Sequence, residues 1–185
     1  MPMGRLFGLT AGRVRVTATF WLLDAPDSLE IQSRRNADGA ALGYFGPDSE
    51  VVLDKQPEPA YSDREFIRAA GQARSSAFVA HVRWATTGGR TVRNTHPFGM
   101  EGRVMAHNGG VGSLARLDAE LGPYRRLVLG ETDSERYFAL ITKQTDAHVS
   151  RHGGGADPGR PAGAGAGFRR SRVPALTSAK TPDLG

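Results

Sequence analysis

A chain of 185 residues with 39% hydrophobic and 23% charged residues is sized and composed as one globular domain able to bury a core. It has no cysteine, which excludes disulfides, thiolate metal sites and thiol nucleophiles. The net charge of +5 and pI of about 10.1 suggest a polyanion partner. However, residues 143–185 hold seven Lys or Arg against three acids, so four of the five charges sit there and the rest is nearly neutral. No specific nucleic-acid role is therefore expected. Arg5, Arg13 and Arg15 interrupt the apolar residues near the N-terminus, and no run is long enough to span a bilayer. A cytoplasmic protein without a membrane partner is expected.

In chain order, Arg5–Leu9 reads as an opening strand. Ala18–Leu23 is apolar, and the breaker cluster Asp24-Ala-Pro-Asp-Ser28 predicts a helix over Ser28–Gln32. Arg35-Asn-Ala-Asp-Gly39 is a turn signal that leads into a strand, Ala40–Phe45. Gly46-Pro-Asp-Ser49 then makes a hairpin loop to a returning strand, Val51–Lys55. Ser62-Asp-Arg-Glu65 reads as a capping box with Ser62 as the cap, opening a helix that buries Phe66, Ile67, Ala70 and Ala73.

Phe78–Val82 alternates as a half-buried strand and delivers Arg83 and Trp84 to its end, followed by Thr86, Thr87 and Gly88. A loop over Gly89–Gly99 carries Asn94-Thr-His-Pro-Phe98, and a strand over Gly102–His107 ends in Asn108-Gly-Gly110. Leu114, Leu117 and Leu121 fall at helical spacing. Thr132-Asp-Ser-Glu135 is a second capping box, opening a helix with Tyr137, Phe138, Leu140 and Ile141. From Lys143 the pattern fades; Gly153–Gly167 has seven Gly, four Ala and two Pro in fifteen residues, a composition expected to be disordered. The domain is expected over 4–142 and a tail over 143–185, with the abrupt change near His148 of the kind a shifted reading frame produces.

Three places offer chemistry. The Arg83 guanidinium can grip a planar carboxylate with two parallel hydrogen bonds, or pair with a structural Asp or Glu. Asn108 with the Gly109 N–H can hold a developing oxyanion, although Asn-Gly is also a turn dipeptide. Asp133 can hold an ammonium, or complement the dipole of its own helix. Brought together, they would describe a pocket for an amino acid. A metal hydrolase using His81, His96 and His107 is a weaker alternative, because no two of them have the close spacing of a usual ligand pair.

Six stretches add a more specific signal. Met3-Gly-Arg-Leu-Phe-Gly8, Arg35-Asn-Ala-Asp-Gly39 before Leu42-Gly-Tyr-Phe45, His81-Val-Arg-Trp-Ala-Thr-Thr-Gly88, Asn94-Thr-His-Pro-Phe98, Ala106-His-Asn-Gly109 and Gly130-Glu-Thr-Asp-Ser-Glu135 resemble, in order, the class II glutamine amidotransferases. The likeness is to the small stand-alone branch that includes ergothioneine-biosynthesis-associated members. It implies an α+β fold, the four-layer αββα sandwich of N-terminal nucleophile hydrolases, incomplete at the C-terminus. It also implies glutamine as a small-molecule substrate, no cofactor and no metal. Arg83 would bind the α-carboxylate with Trp84, Thr86 and Thr87 nearby, Asp133 the α-amino group, and Asn108 with Gly109 would form the oxyanion hole.

The family's nucleophile is a cysteine made residue one by removal of the initiator Met, with its own α-amine as the base. Here that position is Gly4, and Met1-Pro-Met3 precedes it. The nearest hydroxyl is Thr10, beyond the opening strand. The expectation is a domain that does not hydrolyse glutamine, or else a non-catalytic binding module for glutamine or a γ-glutamyl compound.

Overall fold

The structure, a computed structural model, describes residues 3–152. Its largest sheet is antiparallel throughout, with strands β1 (Arg5–Thr10), β2 (Ala40–Phe45), β3 (Val51–Gln56) and β4 (Ala77–Val82) in the order β1-β4-β2-β3. Side chains alternate across this sheet as the pleat requires. On β4, Phe78, Ala80 and Val82 face one core with Leu42 of β2. Val79, His81 and, just past the strand end, Arg83 fall on the opposite face. One strand thus separates the core from the chemistry.

Helix α1 (Leu29–Gln32) and helix α2 (Arg64–Gln72) belong to the core side. Leu22, Leu29, Phe66, Ala69 and Ala70 pack there against the sheet. A single π-type turn, Phe20–Asp24, precedes α1 and is closed by the Ala25 N–H donating to Phe20 O at 2.7 Å. Ser28 caps α1 by accepting from the Ile31 N–H.

The second sheet is a two-stranded ribbon, β5 (Phe98–Met100) and β6 (Arg103–Met105). It lies on the other face of the first sheet: the side chains of Pro97 and Val104 sit against Gly43 of β2, where a Cβ would come within 2.9 Å of both. Helices α3 (Leu114–Leu121) and α4 (Asp133–His152) cover the ribbon. Phe98, Met100, Leu121, Val128, Phe138 and Ala139 form the second core. The order helix, sheet, sheet, helix is the expected α+β layering, with two strands in the second sheet among the described residues.

Four local expectations need correction. Asp63, not Ser62, caps α2: its carboxylate accepts from the Glu65 and Phe66 N–H groups at 2.9 and 3.1 Å, while Ser62 Oγ donates to Pro59 O. Ile67 is 39% exposed, since the buried stripe runs through Phe66, Ala69, Ala70 and Ala73 at i, i+3, i+4 and i+7. Phe98 belongs to a strand, and the strand expected over Gly102–His107 is paired only over Arg103–Met105. Finally, α4 runs to His152, past the boundary expected at 142. Its later turns are held by polar partners: Asp146 accepts from Arg103 and from Tyr124 Oη, and the Lys143 ammonium donates to Glu120 O. A search for apolar periodicity does not register such bonds. The remainder of the expected tail, 153–185, lies outside the described residues. No helix among the described residues is long and apolar enough to cross a membrane.

Candidate active site

Register builds the site. Arg5 of β1 stands opposite Val82 of β4, and Val82 stands opposite Ala40 of β2. Gly4 therefore comes beside the strand end that carries Arg83, with the 35–39 turn on the other flank. That turn ties the pieces together. Asn36 Nδ2 donates to Met3 O at 3.3 Å, Asp38 N donates to Arg83 O, and the Asp38 carboxylate accepts from the Ala85 N–H at 2.8 Å and pairs with Arg90.

Arg83 is only 3% exposed. Its guanidinium donates to three backbone carbonyls of the following loop, Thr87 O at 2.6 Å, Gly89 O at 3.0 Å and Gly88 O at 3.1 Å. Among the described residues no carboxylate pairs with it, so the structural ion pair left open by the sequence is not its role. Burial pushes its pKa below the ordinary value, and Asp38 opposes that shift. A guanidinium nonetheless stays charged.

Asp133, at the start of α4, is buried. One of its oxygens accepts from the Val111 N–H at 2.7 Å, and the other from the Ser134 N–H at 2.8 Å and Thr87 Oγ1 at 3.4 Å. The last bond joins the Arg83 loop to the α4 N-terminus. Asn108 Nδ2 donates to Gly4 O at 2.9 Å, which leaves a second amide hydrogen for another acceptor.

All eight residues singled out in the sequence (Gly4, Arg83, Trp84, Thr86, Thr87, Asn108, Gly109 and Asp133) line one cavity of about 320 Å³. That volume lies within the range of small-molecule pockets. Trp84, 40% exposed, stands at its mouth.

The sequence reading assigned no role in the pocket to several further residues. His81, His96 and His107 also line the cavity. The His81 ring packs at a tilt against His96 with 4.7 Å between centroids, and His96 likewise against Phe98 at 4.5 Å. Both nitrogens of His96 and Nδ1 of His81 are buried without hydrogen-bond partners. Burial, then Arg83 and His107, holds His81 down to about 4; burial, then His81 and Lys55, holds His96 down to about 2. Both rings are neutral at pH 7. No group of three or more His, Cys, Asp or Glu among the described residues could hold a metal ion, so proximity of these rings to the cavity does not make a metal centre.

Asn94 is a second residue whose role the sequence hid. Its carboxamide donates to Gly89 O at 3.0 Å and Glu131 Oε2 at 3.1 Å, and accepts from the Glu131 N–H at 2.8 Å. Around Gly4 there is no room to spare. A Cβ built there would stand 2.7 Å from His81 Nε2 and 2.9 Å from Val82 O.

Comparison with known proteins shows which family the sequence resembles. The sequence profile of the glutamine amidotransferases class-II family matches residues 3–157. A probable glutamine amidotransferase of Saccharomyces cerevisiae, DUG3, is 31% identical over 130 residues, 64% of this chain and 36% of that protein. A glutamine–fructose-6-phosphate aminotransferase (isomerizing) of Caulobacter vibrioides is 40% identical over 116 residues, 62% of this chain and 19% of that one. The chain thus spans about a third or less of the length of these two relatives. A solved glutamine aminotransferase class-II domain protein from Silicibacter pomeroyi superposes with a TM-score of 0.48 at 25% identity, over 60% of this chain and 47% of that one. On the profile match, which extends over most of its length, the chain belongs to the class II glutamine amidotransferases.

Proposed function

We propose that the cavity binds glutamine, or a γ-glutamyl compound, through Arg83 at the α-carboxylate and Asp133 at the α-ammonium, and that the chain as it stands does not hydrolyse it. The single supporting observation is that Arg83 and Asp133, far apart in sequence, line the cavity that Gly4, Asn108 and Gly109 also line. One charged group of each sign, with amide donors nearby, complements an α-amino acid. Trp84, Thr86 and Thr87 complete the walls around the α-carbon end.

Chemistry is where the chain departs from its relatives' names. An oxyanion hole stabilises an intermediate that a nucleophile has first to create, and Gly4 has no atom with which to attack. Asn108 and Gly109 then serve to bind the terminal carbonyl without turning it over.

A second reading, a non-catalytic module that senses glutamine or a γ-glutamyl compound, is favoured by the lack of space at Gly4. A site waiting for a lost side chain would keep room for it; this one does not.

The test pairs binding with turnover. Calorimetric titration of the chain with glutamine, beside Arg83→Lys and Asp133→Asn, is expected to show binding that each substitution weakens at least tenfold. Ammonia release is expected to be absent. Measured release by the unchanged chain would overturn the inactive reading. A chain beginning at Met3 with Gly4→Cys separates the two readings: turnover there marks a silenced amidotransferase, and binding without turnover marks the module.

A further inference from the structure

The end of the cavity at Gly4 is formed by an imidazole. His81 Nε2 lies 2.7 Å, and its Cε1 2.9 Å, from where a side chain of residue 4 would begin. The ring packs at a tilt against His96, which packs at a tilt against Phe98. His81 as a whole is 3% exposed. Its other nitrogen, Nδ1, is buried and has no partner.

A neutral imidazole carries one N–H and one bare nitrogen. An orphaned buried N–H is rarer, and costs more, than an under-used acceptor. Placing the proton on Nδ1 would strand a donor in the interior, whereas placing it on Nε2 aims the donor at the Gly4 end of the cavity. Burial supports the neutral form. Meanwhile one hydrogen of the Asn108 amide is spent on Gly4 O, so the end of the pocket gains a donor where it has lost a nucleophile.

We propose that His81 presents an Nε2–H donor at the Gly4 side of the cavity, and that this donor selects α-amino acids whose side chains end in an oxygen acceptor. The inference rests on the reading of the cavity as an amino-acid site. It adds a discriminator to that site: an amide and a carboxylate are both admitted, and an apolar end is refused. Glutamate is therefore a ligand on the same footing as glutamine.

The test is calorimetric titration of the full chain with glutamine, glutamate and norvaline, which keeps the α-groups and three side-chain carbons but has no terminal oxygen. Glutamine and glutamate are expected to bind at least about tenfold more tightly than norvaline. In His81→Phe, which keeps a ring and removes the donor, that ratio is expected to fall severalfold, with Asn108 and Gly109 holding the remainder. Gly4→Ala, whose methyl displaces Nε2, is expected to do the same and serves as the second variant should the first fail to unfold cooperatively. Norvaline binding as tightly as glutamine, or a ratio unchanged in the folded variants, overturns the proposal and leaves the amino-acid site standing. Binding of none of the three by folded chain overturns both.

Discussion

Asn108 and Gly4 are 104 residues apart, yet the side-chain amide of one donates to the backbone carbonyl of the other at 2.9 Å. The bond fixes the first strand against the loop after β6, so residue 4 cannot drift to make room. On its other side stand the His81 ring and the carbonyl of Val82. Gly4→Ala is accordingly expected to lower stability by about 1–3 kcal/mol, the usual effect of forcing a methyl into a filled site. Urea unfolding of Gly4→Ala, His81→Ala and the double variant checks this. A double variant more stable than the sum of the single effects predicts would show that the two residues compete for one space.

Asp63 and Ser62 are adjacent and both able to cap α2, but only Asp63 receives the helix N–H groups. Asp63→Ala should cost about 1 kcal/mol and Ser62→Ala a few tenths at most. Thermal unfolding of the two variants distinguishes them, and equal losses would mean the cap is shared.

Acid should weaken the fold well above the range of ordinary carboxylates. His81 and His96 have folded values of about 4 and about 2, below the ordinary 6.5 of the unfolded chain. Between those values the unfolded state binds more protons, so stability is complete above pH 6.5 and falls as pH drops. For His81 alone the loss from 6.5 to 4 amounts to roughly 3 kcal/mol. The midpoint of urea unfolding is expected to decline steadily from pH 7 to pH 5. His96→Phe, keeping an aromatic ring between His81 and Phe98, should flatten the decline, and an unaltered slope would place the acid sensitivity elsewhere.

Removing the Asn94 carboxamide leaves the Glu131 N–H without its partner and takes one donor each from Gly89 O and Glu131 Oε2, which keep Arg83 and the Gly89 N–H. Asn94→Ala is expected to destabilise by about 2–3 kcal/mol and to weaken glutamine binding, because Gly89 O accepts from both Asn94 and Arg83. Calorimetry on the folded fraction tests the second part; binding at full strength would show that the Arg83 loop holds its shape unaided.

The strands were legible because one face of each is buried, and alternation records that burial directly: Phe78, Ala80 and Val82 point to the core. That the candidate site residues would meet was legible for a different reason. They occur in ordered motifs whose spacing is peculiar to a family, and all eight line one cavity. What escaped was decided by backbone pairing and polar partners that apolar periodicity does not record. Phe98-Gly-Met100 is too short to show a period, and it pairs only because Arg103–Met105 returns beside it. Ser62 lost the cap to its neighbour through a bond to Pro59. Helix α4 continued past Thr142, where Asp146 makes side-chain bonds to other parts of the chain. Asn94 sat in plain view inside a motif, with nothing nearby in sequence to show that its partners lay at residues 89 and 131.

Those partners give Asn94 a reach beyond its own bonds. Gly88 and Gly130 each lie so close to its amide that a Cβ would come within 2.8 and 2.5 Å of it. Three segments of the chain thus share one side chain as a clasp, and none can be altered singly: a larger residue at 88 or 130 pushes the amide off Glu131, and with it the carbonyls to which Arg83 is anchored. Half-exposed Trp84 at the cavity's mouth lies outside this clasp, which holds the loop behind Arg83 as a unit.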